Sequence, residues 1–450
     1  MNRAAARPSI LLITIDTLRA DHLSTYGYGL PTSPALSGLA ERGTLFENAF
    51  SAASCTAPSH TSLMTGVMPS FHTVGAFNSK FPLEPEAATL AEQLAAAGYE
   101  TAAVVSNPVL GPHLGLDQGF EVYDSDLRGR EQNRDQPEQR VEAALEKARA
   151  LLASPAFSGE RPYFLWLHLQ DPHGPYLPAA EAPTLIEAAA KRDMGEDQTV
   201  LPVGTDQSGY RAIPKYQVLP NLEGRVAAYV HRYDREIAHL DRQLGRFLEE
   251  LEATGRLDNT LLAVTADHGE AFGEDGFYFA HGHSVGLDQV RVPLLLVGPG
   301  VPAGGRVSAP VSNLGWYATV LNIVGLGGDS AYPSLLESIA GSEGPVFVES
   351  LGQVGVALQG RFLRRDRVPA EDDAFWQAPN PTTGGFWKPL GRQLVSLPFL
   401  TGRDADLDDL LDGYLRRARV GMRQAADRRR GEIAHDDEDL RRLRALGYVN

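Results

Sequence analysis

Short runs of continuous Ile, Val and Leu punctuate the chain at Ile10–Ile15, Thr101–Val105, Tyr163–Leu169, Leu261–Thr265 and Pro293–Val297, with a weaker run at Val346–Val348. A strand with one wet face alternates apolar and polar residues. Unbroken apolarity suits strands covered on both faces, as in a parallel sheet sandwiched by helices. Helical patterns lie between the runs. In "SPALSGLAERG", Ser33 reads as the N-cap, Pro34 as the first helical residue and Gly43 as the stop. Gln93, Leu94 and the alanines before Gly98 mark a second helix. The longest spans about Glu223 to Thr254, where Val226, Tyr229, Tyr233, Ile237, Leu240, Leu244, Phe247 and Leu251 form one apolar stripe. The expectation is an α/β protein with a mainly parallel central sheet flanked by helices.

With 450 residues, one large and one smaller domain are expected. The large α/β domain is assigned to residues 1–340. A smaller C-terminal α+β subdomain is assigned to 341–450, where clear strands thin out and charge rises. Between Pro178 and Asn221 no period is sustained, which reads as a long connection of the lid or binding-loop kind. A net charge of −16 argues against a nucleic-acid partner. It does not exclude a small anionic substrate, because a bound metal ion reverses the local field. The single cysteine, Cys55, rules out an intramolecular disulfide framework. "ILLITI" resembles the core of a signal peptide but is short and runs straight into Asp16, so it reads as the first buried strand. No segment approaches the ~18 apolar residues of a membrane span. The chain as given reads as cytoplasmic; removal of a leader would make it periplasmic or secreted. Its oligomeric state is not legible.

The chemistry-bearing residues follow the strands. "ILLITID" ends in Asp16, "LLAVTADHGE" carries Asp267 and His268, and "FLWLHLQDPHGPY" carries Asp171 and His173. Ligands of open α/β sheets bind outside the carboxyl ends of the strands, so three strands are expected to deliver carboxylates and imidazoles to one edge. Such oxygen and nitrogen donors suit a divalent ion. An aspartate after a strand also serves as a helix cap, whereas the adjacent Asp267–His268 pair is sharper. His168 reads as a buried, satisfied histidine, and His231 and His239 as surface or packing residues of the long helix. His281 and His283 in "AHGHS" read either as site or as turn. In "SCTAPSHTSLMTG", Pro58 to Gly66 reads as a short helix closed by glycine. A hydroxyl two residues before Pro58 would sit at a helix N-terminus, which favours an anion or alkoxide. On that stretch alone, capping explains Ser54, Thr56 and Ser59 equally well.

Several longer pieces resolve the alternatives. "DTLRADHLSTYGY", "PSHTSLMTG", "LQDPHGPYLP", the segment from "RYDREIAHLDRQL" through "TADHGEAFGEDG", "VRVPLLLVGPG" and the terminal "LRRLRALGYV" occur in consistent order. Together they resemble the sulfatases of the alkaline phosphatase superfamily. The resemblance implies an alkaline-phosphatase-like α/β core with a smaller C-terminal subdomain. It also implies one divalent metal ion (Ca, Mg, Mn or Zn) held by Asp16, Asp267 and His268, with the nucleophile's oxygen completing the site. His173 would contact the ester or protonate its leaving group. His281 falls where many relatives carry lysine and would stabilise transition-state charge. Asn78 falls at a substrate-contact position.

The departures from the pattern are informative. Typical sulfatases carry C-x-P-x-R, whose cysteine becomes formylglycine, the nucleophile. In this frame the cysteine position is Thr56, not Cys55, and the arginine position is His60. Thr56 is therefore the expected nucleophile and His60 a further catalytic candidate. The usual second aspartate after the first strand is Thr17, counted with Asn78 as substrate-facing. Relatives with threonine nucleophiles mostly act on phosphoryl esters. The leading expectation is a metal-dependent hydrolase of a sulfate or phosphate-type ester using Thr56. Its alternatives are a phosphodiesterase or phosphotransferase of the same superfamily, and a catalytically silent anion-binding protein.

Overall fold

The computed structural model describes residues 7–74, 82–131, 133, 136–157, 159, 161–182, 199–350, 352–366, 393–397 and 406–429, apart from 206, 220, 221 and 328–331. Asn78 and the terminal "LRRLRALGYV" lie outside the described residues, as does the middle of the Pro178–Asn221 connection.

Eight strands build the central sheet: β1 (Ser9–Ile15), β2 (Thr44–Phe46), β3 (Glu100–Val104), β4 (Val122–Asp124), β5 (Tyr163–Leu169), β6 (Thr260–Ala266), β7 (Leu294–Val297) and β8 (Gly305–Val307). Their order is β8-β2-β7-β6-β1-β5-β3-β4. The pairings β1–β5, β1–β6, β3–β5 and β3–β4 are parallel, while β7 runs antiparallel to both β6 and β2. The five strong apolar runs all become strands of this sheet. The short β2, β4 and β8 are additions that three-residue segments do not announce in sequence. Val346–Val348 also forms a strand, but in a separate four-stranded antiparallel sheet of Val346–Glu349, Gln353–Leu358, Arg361–Asp366 and Gln393–Ser396.

The pleat sends successive residues of β1 to opposite faces. Leu11, Ile13 and Ile15 join one core cluster with Tyr229, Tyr233 and Phe247 of the long helix, and Ile10 and Leu12 join another with Trp166 and Trp316. The result is three layers. Helices α1 (Pro34–Glu41), α4 (Val141–Leu152) and α5 (Val226–Ala253) cover the first face. Helices α2 (Thr56–Thr65), α3 (Leu90–Ala96) and α6 (Gly315–Val324) cover the second. Helix α7 (Leu407–Arg429) packs Leu411 and Tyr414 beside Val354 and Val356 of the small sheet. No helix among the described residues is long and apolar enough to cross a membrane.

Helix α2 is unlike its neighbours, since all ten of its residues are buried although six carry polar side chains. Each such group needs a partner. Thr61 and Thr65 donate back to the carbonyls of Ala57 and Thr61, Ser59 donates to the Asp267 carbonyl at 2.6 Å, and Ser62 pairs with His72. Gly66 ends the helix at φ +73°, where an added Cβ would also lie 2.5 Å from the Tyr317 ring.

The start of α1 departs from its sequence reading. Ser33 occupies the N-cap position but makes no side-chain cap; its Oγ accepts the Thr25 amide instead. The cap comes from α5, where Asp241 Oδ2 and Oδ1 accept the amides of Ala35 and Leu36 at 2.8 and 2.9 Å. Asp241→Ala would leave two helix-end donors unpaired, and we expect a loss of about 2 kcal/mol in urea unfolding at neutral pH.

Candidate active site

The register of the central strands places the site. Ile15 pairs with Ala266, so Asp16 and Asp267 leave adjacent parallel strands at one level. Asp16, Asp267 and His268 are completely buried, with ligand-capable atoms within 4.8 Å of one another. One oxygen of each carboxylate is committed. Asp16 Oδ2 accepts Asn107 Nδ2–H at 2.8 Å, and Asp267 Oδ1 accepts the amides of Thr17 (3.3 Å) and His268 (2.9 Å). The other two, Asp16 Oδ1 and Asp267 Oδ2, have no hydrogen-bond partner among the described residues.

His268 Nδ1 donates to the Gly269 carbonyl at 2.8 Å, which assigns the lone pair to Nε2. Nε2 faces Asp16 Oδ1 at 3.7 Å, Asp267 Oδ2 at 3.3 Å and Thr56 Oγ1 at 3.2 Å. When both carboxyl groups are ionised, two acceptor oxygens and an imidazole lone pair thus converge with only the Thr56 hydroxyl to donate between them. Burial, and then the charge of Asp267, hold Asp16 well above the ordinary carboxylate range. Burial pushes Asp267 up to about 8 and His268 down to about 4. Such a cluster is repulsive by itself and is relieved by a cation. The donor set therefore fits a divalent ion.

Thr56 opens α2, after Cys55 in extended conformation, and is 5% exposed. Cys55 is buried, and burial raises its thiol, so it packs rather than ionises. His60 lies one turn below Thr56 with both nitrogens engaged. Trp166 Nε1–H donates to Thr14 Oγ1 at 3.0 Å, Thr14 Oγ1–H faces His60 Nε2 at 3.1 Å, and His60 Nδ1–H reaches the Thr56 carbonyl at 2.9 Å. Burial, and then the neighbouring His168, hold His60 well below the ordinary imidazole range, and the chain of bonds ties the helix start to the sheet. Thr17 is held at φ +56°, unusual for a β-branched residue, by the hydrogen bond its backbone N–H donates to Asp267 Oδ1 and by the Tyr233 hydroxyl on its carbonyl. Its buried Oγ1 has no partner among the described residues.

Two further imidazoles lead outward. His281 lies 4.4 Å from the His268 ring, and its Nδ1 is 3.1 Å from Glu270 Oε1. His173 follows, 5.4 Å from His281, with Nδ1 bonded to the Gly174 carbonyl at 2.8 Å. His283 separates from the site and stacks on Phe277, so only one of the "AHGHS" pair faces the cluster. Asp171, expected at the same edge, turns away to pair with Arg140. His168 is buried as expected but not satisfied: its Nε2 has no hydrogen-bond partner among the described residues and lies 3.6 Å from Asp16 Oδ2. His239 packs beneath the surface against Glu142.

Sequence reasoning missed Asn107 and Glu270. Asn107 precedes a single 3₁₀ turn, which it caps, and nothing local marks its bond to Asp16. Glu270 was visible in "DHGE". It is fully buried, is pushed up to about 8 by burial, and accepts Tyr176 O–H at 3.0 Å.

The sulfatase family profile matches residues 8–326, which include every residue of this cluster. The chain belongs to the sulfatase family. Among curated relatives, the choline-sulfatase of Rhizobium meliloti (strain 1021) is 25% identical over 402 residues, covering 78% of this chain and 75% of that one. Arylsulfatase K of Danio rerio is 26% identical over 349 residues, covering 71% and 65%. The phosphonate monoester hydrolase SpPMH from Silicibacter pomeroyi shares the fold with TM-score 0.65 at 19% identity, covering 92% of this chain and 96% of that one. A 2-O GAG sulfatase, BT1596, also reaches 0.65 at 19% identity, covering 93% and 94%. This sulfatase-family hydrolase therefore has the expected α/β architecture, with its buried acidic pair at the strand ends.

In the metal-free sulfatase-family protein, Asp16→Asn should raise Tm by a few degrees, because one of two facing buried carboxylates is neutralised. A divalent ion that raises the wild-type Tm should leave this variant unmoved. A wild-type Tm insensitive to Ca, Mg, Mn and Zn would remove the cluster as a cation site.

Proposed function

We propose that the protein is a metal-dependent hydrolase of sulfate or phosphate-type esters, with Thr56 as nucleophile. The observation that supports it most is the position of Thr56 Oγ1, 3.2 Å from His268 Nε2 at the start of a buried helix, in a cluster where two carboxylate oxygens have no hydrogen-bond partner among the described residues. Asp16, Asp267 and His268 would hold the divalent ion, which supplies charge neutralisation and makes the Thr56 hydroxyl more acidic.

The chain's own groups then divide the work. Thr56 would lose its hydroxyl proton to solvent, and the alkoxide, favoured by the amides and dipole of α2, attacks sulfur or phosphorus. The bond to the ester oxygen breaks, and the departing alkoxide takes a proton from His173 or His281, which line the outward path. His281 is oriented by Glu270, and its position suits charge that develops on the non-bridging oxygens. Water cleaves the Thr56 ester and releases the anion. Thr17 Oγ1, buried and without a partner among the described residues, is a further candidate for contact with those oxygens.

The acceptor atom is read as phosphorus in preference to sulfur. A formylglycine hydrate expels sulfate by collapse, whereas a threonine ester needs external hydrolysis, as phospho-threonine intermediates do. Transfer to an alcohol in place of water is the phosphotransferase variant and would show as an alkylated product.

Thr56→Ala should abolish turnover, whereas Cys55→Ala should keep most of it. Parallel assays with nitrophenyl sulfate, nitrophenyl phosphate, bis-nitrophenyl phosphate and a nitrophenyl phosphonate rank the substrates. Activity in Thr56→Ala equal to wild type would sink the nucleophile assignment, and failure on the whole panel would favour the silent anion-binding reading. Chelation should remove activity and a single divalent ion restore it; full turnover of metal-free protein would refute the metal role.

A further inference from the structure

The segment that carries His173 is tied at both ends to one guanidinium. At its start, Asp171 Oδ1 lies 2.9 Å from Arg140 Nη2, and Asp171 Oδ2 accepts the Val141 amide at 2.8 Å. At its end, the Leu177 carbonyl accepts from Arg140 Nη2 at 3.1 Å, and the Leu177 amide donates to Glu236 Oε1 at 2.8 Å. Glu236, on α5, in turn accepts from Arg140 Nη1 at 3.3 Å. The side chains of Asp171 and Glu236 are 2% and 0% exposed and that of Arg140 is 32% exposed, so the pairs are partly buried and only partly screened by solvent.

The interior of the segment has little slack. A Cβ on Gly174 would lie 1.8 Å from Gln217 Nε2, so the loop rests directly on Gln217. Tyr176 is buried and bonded to Glu270. None of these contacts touches the cluster of Asp16, Asp267 and His268, yet together they determine where the intervening His173 stands.

We infer that Arg140 is a positioning residue for His173: its planar fork closes residues 171–177 into a fixed loop against α5. The inference rests on the reading that His173 serves the leaving group. Lysine cannot replace the function fully, because one ammonium cannot span two carboxylates and a carbonyl in the geometry of the fork.

The test uses full-length enzyme loaded with the divalent ion that supports activity, and two aryl esters of the acid group it cleaves best. One carries a 4-nitrophenol leaving group, which departs with little help, and the other phenol, which needs a proton. His173→Ala should slow the phenyl ester by about a hundredfold and the nitrophenyl ester by far less. Arg140→Met should show the same selectivity at about tenfold, with Arg140→Lys between it and wild type. The double variant His173→Ala/Arg140→Met should be no slower than His173→Ala alone.

Should Arg140→Met fail to fold, Arg140→Lys and Glu236→Gln enter the same cycle. Equal slowing of both esters, or losses that multiply in the double variant, would overturn the inference while leaving the role of His173 intact. If His173→Ala itself shows no leaving-group selectivity, the reading of His173 falls and the inference falls with it.

Discussion

Two carboxylates that cannot be comfortable alone organise this molecule. Asp16 and Asp267 emerge at one level from neighbouring parallel strands, fully buried, and each keeps one oxygen without a hydrogen-bond partner among the described residues. Burying an unpaired charge is among the largest penalties a fold can carry, so the surroundings are built to limit it. Asn107 and two backbone amides hold the outer oxygens, and His268 directs a lone pair, not a proton, at the inner ones. Such a cluster is a local instability that a bound cation would relieve, a common state of affairs at functional centres.

The same constraint explains the unusual helix α2. An ordinary amphipathic helix would expose one face, but this one must bring a hydroxyl to the floor of the site and is buried throughout. Hydroxyl side chains suit that task, since Thr61 and Thr65 can satisfy themselves on their own helix carbonyls. His60 then fastens the first turn to β1 through Thr14. The strained backbone of Thr17 belongs to the same arrangement, because its amide is aimed at Asp267. Outside this buried floor, the imidazoles of His281 and His173 step toward solvent, each oriented by a partner on its Nδ1.

Much of the fold was legible because the relevant signals are local. The five strong apolar runs and the long amphipathic helix appear where the residue pattern puts them. The acidic pair was legible too, because an aspartate directly after a buried strand has few places to go. Three readings needed correction for a shared reason. Ser33 holds the cap position, but Asp241 makes the cap; Asp171 leaves the site for Arg140; and His168 is buried without being satisfied. In each case the partner is set by packing between elements, which a linear pattern does not contain.

By itself, the sequence determined the α/β class and the strands that end in Asp16, Asp267 and His268, and its register against Pro58 is the ground on which Thr56 rather than Cys55 is proposed as nucleophile. Only the tertiary structure decided which groups meet: Asn107 with Asp16, Glu270 with His281, Asp241 with α1, and Arg140 with Asp171 and Glu236. The physical reason is that parallel strands are joined by long crossovers. Groups 250 residues apart, such as the Thr17 amide and the Asp267 carboxylate, become hydrogen-bonded neighbours through strand register, and register is a property of the assembled sheet.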